Sequence, residues 1–249
     1  MGYAIMTTAT AGQPHASSDS RASAGISALV LSLACGGALA LFSAEIAVNG
    51  GSLERVAVPA RMLGLVLLAT VLLKLSGDTW HAVGLNRPRS IWKMASLVLG
   101  GYLAIAVVAM LGHTILPALG LVPKMSAMFA ALKGDTAEYL YWLLPVAWGS
   151  AAFGEELVFR GFLQSRLERF IGGETLSAWL SAAVLQALIF GLLHSYLGAA
   201  GAIMAAATGL VLGFVYVISG RNLWACIILH GLVDTVSLTA LYLGAMPAN

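Results

Sequence analysis

Charge is scarce in this sequence. Its 249 residues include 13 Lys and Arg and 11 Asp and Glu, so charged residues make up 10%, against about 25% in soluble domains. A soluble globule of this size could not cover its surface with so few charges. The net charge of +2 offers no basic footprint for nucleic acid, and a hydrophobic content of 59% excludes a disordered chain. Cysteine is rare as well. Cys35 and Cys226 both sit inside apolar runs without metal-ligand spacing to each other, so no disulfide framework is expected and two small buried residues are. Residues 1–23, rich in Ala, Ser and Thr, lack a cationic region followed by an apolar one; they read as a disordered tail and not as a cleavable signal peptide.

What the sequence does contain is apolar length. Stretches able to cross about 30 Å of hydrocarbon follow one another at 24–47, 56–74, 92–118, 139–160, 176–195, 199–219 and 222–245. The expected fold is all-α, a polytopic transmembrane helix bundle of seven or eight spans. Segment 120–134 is too short to span and reads as an interfacial or re-entrant piece, broken by Pro123 and Gly134. Small residues crowd the later spans, with Gly191, Gly201, Gly209, Gly213 and the run Ala205–Ala207, which predicts closely packed helices. The basic residues divide unevenly between the two sides. Arg21, Lys74, Arg87, Arg89, Lys93, Arg160, Arg166, Arg169 and Arg221 fall on the side of the N-terminus, and Arg55, Arg61, Lys124 and Lys133 on the other. By the positive-inside rule the N-terminus is expected in the cytoplasm, with the chain in the cell membrane.

The polar residues of the second half are few and grouped. Beyond residue 175 the charged residues are Arg221 and Asp234 and the histidines are His194 and His230. Just upstream lies Gly154-Glu155-Glu156-Leu157-Val158-Phe159-Arg160 in an apolar helix. An ionisable residue in a span costs roughly 3 kcal/mol on insertion scales, so several together point to function. Glu156 and Arg160 are four apart, acid first, the favourable order for a helical pair. Glu155 points about 100° away, which leaves it available as a general base for water; a solvated charge cluster at an interfacial helix end, with Arg166, Glu168 and Arg169 nearby, is the competing reading of the same residues. Phe190 lies one turn before His194 and can pack on its ring. His230 and Asp234 are again four apart, an arrangement that can fix packing, hold a tautomer, bind a metal or serve a developing oxyanion.

These three segments resemble the motifs of the CPBP family, the CAAX proteases and bacteriocin-processing enzymes also called Abi. That pattern is EExxxR, then FxxxH, then HxxxN or a close variant, on successive transmembrane helices. Glu155-Glu156 with Arg160, Phe190 with His194, and His230 with Asp234 match it in order and spacing. The resemblance implies a catalytic transmembrane core at 139–246, following transmembrane helices and the interfacial piece at 24–138. It implies an intramembrane endopeptidase, reached from the cytosol, that acts on a membrane-embedded or lipidated (CAAX-type) protein or peptide. In it Glu155 and His194 activate water, His230 and Asp234 stabilise the oxyanion, and Glu156, Arg160 and Phe190 support the site. Position 234 is Asp where the family more often has Asn. An ionised Asp cannot donate to an oxyanion, so Asp234 is either protonated or confined to orienting His230. No cofactor is expected, since the His-Glu-x-x-His signature is lacking; a zinc, if bound, would use Glu155, His194, His230 and Asp234. A non-catalytic membrane scaffold or immunity protein with the same fold, and a proton-coupled carrier, are the competing readings.

Overall fold

The computed structural model describes residues 18–49, 54–122, 127–173 and 175–245. Their regular elements are helical: α1 (Ser18–Asn49), α2 (Glu54–Leu75), α3 (Ile91–Ala118), a 3₁₀ helix (Ala127–Leu132), α4 (Thr136–Tyr141), a π-helix (Trp142–Gln164), α5 (Ser165–Ile171), α6 (Leu176–Leu193), a 3₁₀ turn (Ser195–Leu197), α7 (Gly198–Ile218) and α8 (Leu223–Tyr242). Short polar residues start several of them. Ser90, Asp135, Thr175 and Asn222 each accept a backbone N–H of the first turn that has no partner within the helix.

Among the described residues six helical segments are long and apolar enough to cross a membrane: Ser18–Ala38, Ala57–Leu75, Ile91–Ala118, Leu176–Leu193, Ser195–Ile218 and Leu223–Tyr242. They correspond to six of the seven expected stretches. The seventh, 139–160, is not among them; it is the junction of α4 with the π-helix and carries Glu155, Glu156 and Arg160. The first helix starts at Ser18 rather than at 24, and residues 1–17 of the expected tail lie outside the described residues. In 120–134 the chain forms the 3₁₀ helix Ala127–Leu132, while Pro123 lies outside the described residues.

Apolar side chains cover the exterior of the bundle. On α3, Leu99, Leu103 and Met110 are each more than half exposed, as expected of a surface that meets lipid. Inside, Gly191 of α6 lies so close to α7 that a Cβ there would sit 2.6 Å from both the Ala202 carbonyl oxygen and the Ala206 Cβ. This is the close helix approach that small residues allow.

Contacts between loops define the two ends of the bundle. At one end the α2–α3 loop meets the α7–α8 turn. Leu223 N–H donates to the Gly84 carbonyl (3.0 Å), and the Tyr216 hydroxyl donates to that of Val83 (2.8 Å). Gly84 has φ 106°, and a Cβ on it would collide with the Arg221 carbonyl oxygen, so glycine is required there. At the same end Asp78 pairs with Arg166 and Arg169, each at 2.8 Å. At the opposite end Gly134 N–H donates to the Tyr242 carbonyl (3.0 Å), and the Tyr139 and Thr239 hydroxyls bond at 2.9 Å.

Candidate active site

A π-helix closes its hydrogen bonds five residues back rather than four, and such turns are found most often at functional sites. Here the π-helix presents an unusual inner face. Glu156, Arg160 and Gln164, at successive four-residue steps, are fully buried, and Glu168 of α5 continues the line at 3% exposure. Buried charge is tolerated only when it is paired and hydrogen-bonded. Arg160 Nη1 donates to Glu156 Oε1 at 2.8 Å, and Nη2 donates to the Gly209 carbonyl on α7 at 3.0 Å. Gln186 of α6 donates to that same carbonyl at 3.0 Å. Gly209 and Gly213 leave the room this needs: a Cβ on Gly213 would stand 2.8 Å from Gln186 Nε2 and 3.2 Å from Gln164 Oε1.

The pairing of Glu156 with Arg160 is as the four-residue spacing predicts. Glu156 has a second partner that spacing does not show, His230, whose Nδ1 lies 2.8 Å from the same Oε1. A carboxylate held ionised by a guanidinium can only accept, so His230 Nδ1 carries a proton. On the other side of the ring, Nε2 is 3.6 Å from Asp234 Oδ2. The imidazole thus stands between two carboxylates. Asp234 approaches it without a close hydrogen bond, which fits an orienting role.

His194 forms the C-cap of α6. Its Nδ1 donates to the Phe190 carbonyl at 2.8 Å. A carbonyl only accepts, so in the neutral ring Nε2 is the basic nitrogen. The Phe190 ring packs on His194 with centroids 4.4 Å apart, meets Phe159 edge-on at 4.9 Å and lies under the Arg160 guanidinium at 4.8 Å. Phe190 therefore ties the histidine to the buried ion pair.

Glu155 points away from this network, as its 100° offset predicts. It lines a cavity of about 140 Å³ together with His194, Tyr196, Ser150, Arg61 and Cys35. His230 and Asp234 are not among the cavity's lining residues; they lie 3.6 Å apart, and the Phe190 ring stands between the two histidines, 4.4 Å from that of His194 and 6.5 Å from that of His230. The structure thus brings Glu155 and His194 to one cavity and sets His230 with Asp234 across Phe190 from it. The span boundaries expected from sequence put His194 near the outer end of its helix, away from mid-membrane groups. In the structure α6 ends at Leu193, two residues before the expected boundary, and the π-helix, with its wider turns, takes more residues for the same depth.

Arg61, Tyr196 and Gln186 were not singled out from the sequence. The sequence signal for Arg61 is a cation several residues inside an apolar span, close enough to the span's end to count toward orientation. Cys35 and Cys226 are buried free thiols, as expected. Among the described residues no three His, Cys, Asp or Glu side chains converge as a metal-binding group.

Residues 137–236 match the family model of the type II CAAX prenyl endopeptidases, Rce1-like. This segment is similar to that family. The match agrees with the CPBP/CAAX-protease resemblance of the motifs, because it runs from α4 into α8 and takes in Glu155, His194, His230 and Asp234. It covers less than half of the 249 residues and leaves α1–α3 outside. No curated protein and no solved structure matches the chain. The family it resembles over residues 137–236 is one of CAAX-type intramembrane endopeptidases. With six helices among the described residues long and apolar enough to cross a membrane, α6 to α8 within or overlapping the matched segment, the chain is an integral, multi-pass membrane protein.

Proposed function

We propose that the protein is an intramembrane endopeptidase that cleaves a membrane-anchored or lipidated polypeptide, with Glu155, His194 and His230 as catalytic residues and Asp234 as a positioning residue. The observation that supports this reading is a cavity lined by both Glu155 and His194, together with a His230 ring that has Glu156 on one side and Asp234 on the other. A water in the cavity gives a proton to the Glu155 carboxylate, with His194 Nε2 accepting a hydrogen bond from it, and its oxygen bonds to the scissile carbonyl carbon. Negative charge then builds on the carbonyl oxygen. His230, flanked by two carboxylates, carries protons on both nitrogens and donates from Nε2 to that oxygen. When the tetrahedral intermediate collapses, the C–N bond breaks and the proton on Glu155 passes to the leaving amine.

Glu156 and Arg160 act through His230. They fix its ring and complete the charge balance of the site, and Phe190 holds His194 in place. This chemistry uses protein groups alone, so a chelator leaves cleavage unchanged, whereas loss of activity on chelation and its return with zinc would require a metal centre. The N-terminus lies in the cytoplasm and the chain in the cell membrane, following the distribution of basic residues.

The test is cleavage of a farnesylated CAAX peptide, or of a native substrate once known, by purified protein in liposomes. Glu155→Ala, His194→Ala and His230→Ala each lower cleavage by at least about 100-fold while the protein stays folded and inserted. Full cleavage by folded Glu155→Ala overturns the mechanism and favours the scaffold reading.

A further inference from the structure

Serine and threonine within a helix turn their hydroxyls back onto a carbonyl about one turn earlier, and this chain follows that habit. Ser27 donates to the Ala24 carbonyl at 3.0 Å, Thr70 to that of Val66 at 2.7 Å, Ser165 to that of Gly161 at 2.6 Å and Thr235 to that of Gly231 at 2.6 Å. Ser150 departs from it. It is buried as deeply as Ser27, each 6% exposed, yet its hydroxyl makes no hydrogen bond among the described residues. An unpaired hydroxyl inside a protein is costly, which points to a partner from outside the chain. The side chain lies on the wall of the cavity that Glu155 and His194 line. Ser150 precedes Glu155 by five residues in the π-helix Trp142–Gln164. Five residues is the hydrogen-bond register of such a helix, so both side chains reach one face, whereas a regular α-helix would set them about 140° apart.

The acceptors that meet in the cavity decide what this hydroxyl serves. In the cleavage described above, the water gives one hydrogen to Glu155 and the other to His194 Nε2, and attacks through a lone pair that must stay free. A donor on Glu155 would favour the ionised carboxylate and weaken it as a base. The acceptor that remains is the carbonyl oxygen of the scissile bond, where negative charge builds. His230 stands across Phe190 from the cavity, with the two ring centroids 6.5 Å apart, so a donor on the cavity wall itself approaches that oxygen from the side of the attacking water. We propose that Ser150 is a further catalytic residue, whose hydroxyl donates to the carbonyl oxygen of the substrate's scissile peptide bond and shares with His230 the charge of the tetrahedral intermediate. This rests on the protease reading and adds to it the contact that fixes the peptide carbonyl in the cavity. The hydroxyl keeps its proton throughout, so no bond to Ser150 forms or breaks and no acyl-enzyme arises.

The test compares wild type, Ser150→Ala and Ser150→Thr as purified full-length protein in liposomes. Steady-state cleavage of a farnesylated CAAX peptide is measured beside binding of the matching peptidyl phosphinate, whose P–O⁻ oxygen stands for the oxyanion. The expected result for Ser150→Ala is a kcat lowered by about 100-fold with KM little changed, a phosphinate affinity that falls with kcat, and an unaltered melting temperature. Ser150→Thr, which keeps the hydroxyl, recovers most of the lost kcat. An unchanged kcat in folded Ser150→Ala overturns the assignment. So does a loss of activity that comes with a lower melting temperature while the phosphinate binds as tightly as to wild type, since that is the mark of a packing role. A wild-type protein that cleaves no peptide removes the protease reading and this assignment with it; a wild type that cleaves, beside an equally active Ser150→Ala, removes the assignment alone.

Discussion

Two adjacent glutamates do different work, and the difference can be measured. Glu156 accepts from both Arg160 and His230 through one oxygen, Oε1. Its removal leaves a buried guanidinium without its counter-charge, so Glu156→Ala lowers stability by about 3–5 kcal/mol, read as a large fall in melting temperature in detergent. Glu155 lines the cavity, and Glu155→Ala leaves the melting temperature nearly unchanged while activity is lost. Asp234 is 3.6 Å from His230 Nε2, so its contribution is orientation and charge. Asp234→Asn keeps cleavage within about tenfold of wild type, because a carboxamide can still orient the ring and can donate to the oxyanion; a loss as great as that of His230→Ala would give the carboxylate itself a direct part. At this scale the sequence is readable where partners are four residues apart, as with Glu156 and Arg160 or Phe190 and His194. It is silent on Glu156 with His230 and on Arg160 with the Gly209 carbonyl, because these join positions 74 and 49 residues apart and depend on how three helices pack.

Among the elements, the apolar runs identified six spans because length and hydropathy depend on composition alone. The π-helix was hidden for the converse reason: its hydrogen-bond register follows from the neighbours it packs against, and an apolar run with three charges reads as any other helix. The small residues that allow this packing were visible in the sequence, though their particular partners were not. Gly191→Leu forces α6 off the α7 backbone, where even a Cβ would stand 2.6 Å from the Ala202 carbonyl oxygen. An overpacking cost of about 1–3 kcal/mol is the expected outcome, measured as thermal stability, with activity falling in parallel because His194 ends the displaced helix. Gly213→Leu acts on the buried line of Gln164 and Gln186 in the same way. A fully stable and active Gly191→Leu protein would show that the two helices are less closely packed than described.

For the molecule as a whole, one end is joined by Asp78, which pairs with Arg166 and Arg169 and so links the α2–α3 loop to α5. Partial burial pushes the Asp78 carboxyl up, but the hydrogen bonds and charges of Arg169 and Arg166 outweigh it and hold the group below its ordinary value of 3.8. A depressed carboxyl contributes stability above its unfolded value and loses it as pH falls through the folded one. The Asp78 contribution is therefore complete above about pH 3.8 and fades below it. Asp78→Asn lowers the melting temperature at neutral pH and flattens the acid limb of a stability-against-pH curve; an unchanged curve would show that this end is held by other contacts.

The central claim is that a buried polar cluster in an apolar bundle hydrolyses a peptide bond. Comparative membrane proteomics of a wild-type strain and one carrying Glu155→Ala tests it most directly. The account predicts protein termini present in the wild type and lost in the variant, at equal levels of inserted protein. Identical sets of termini in the two strains would contradict it.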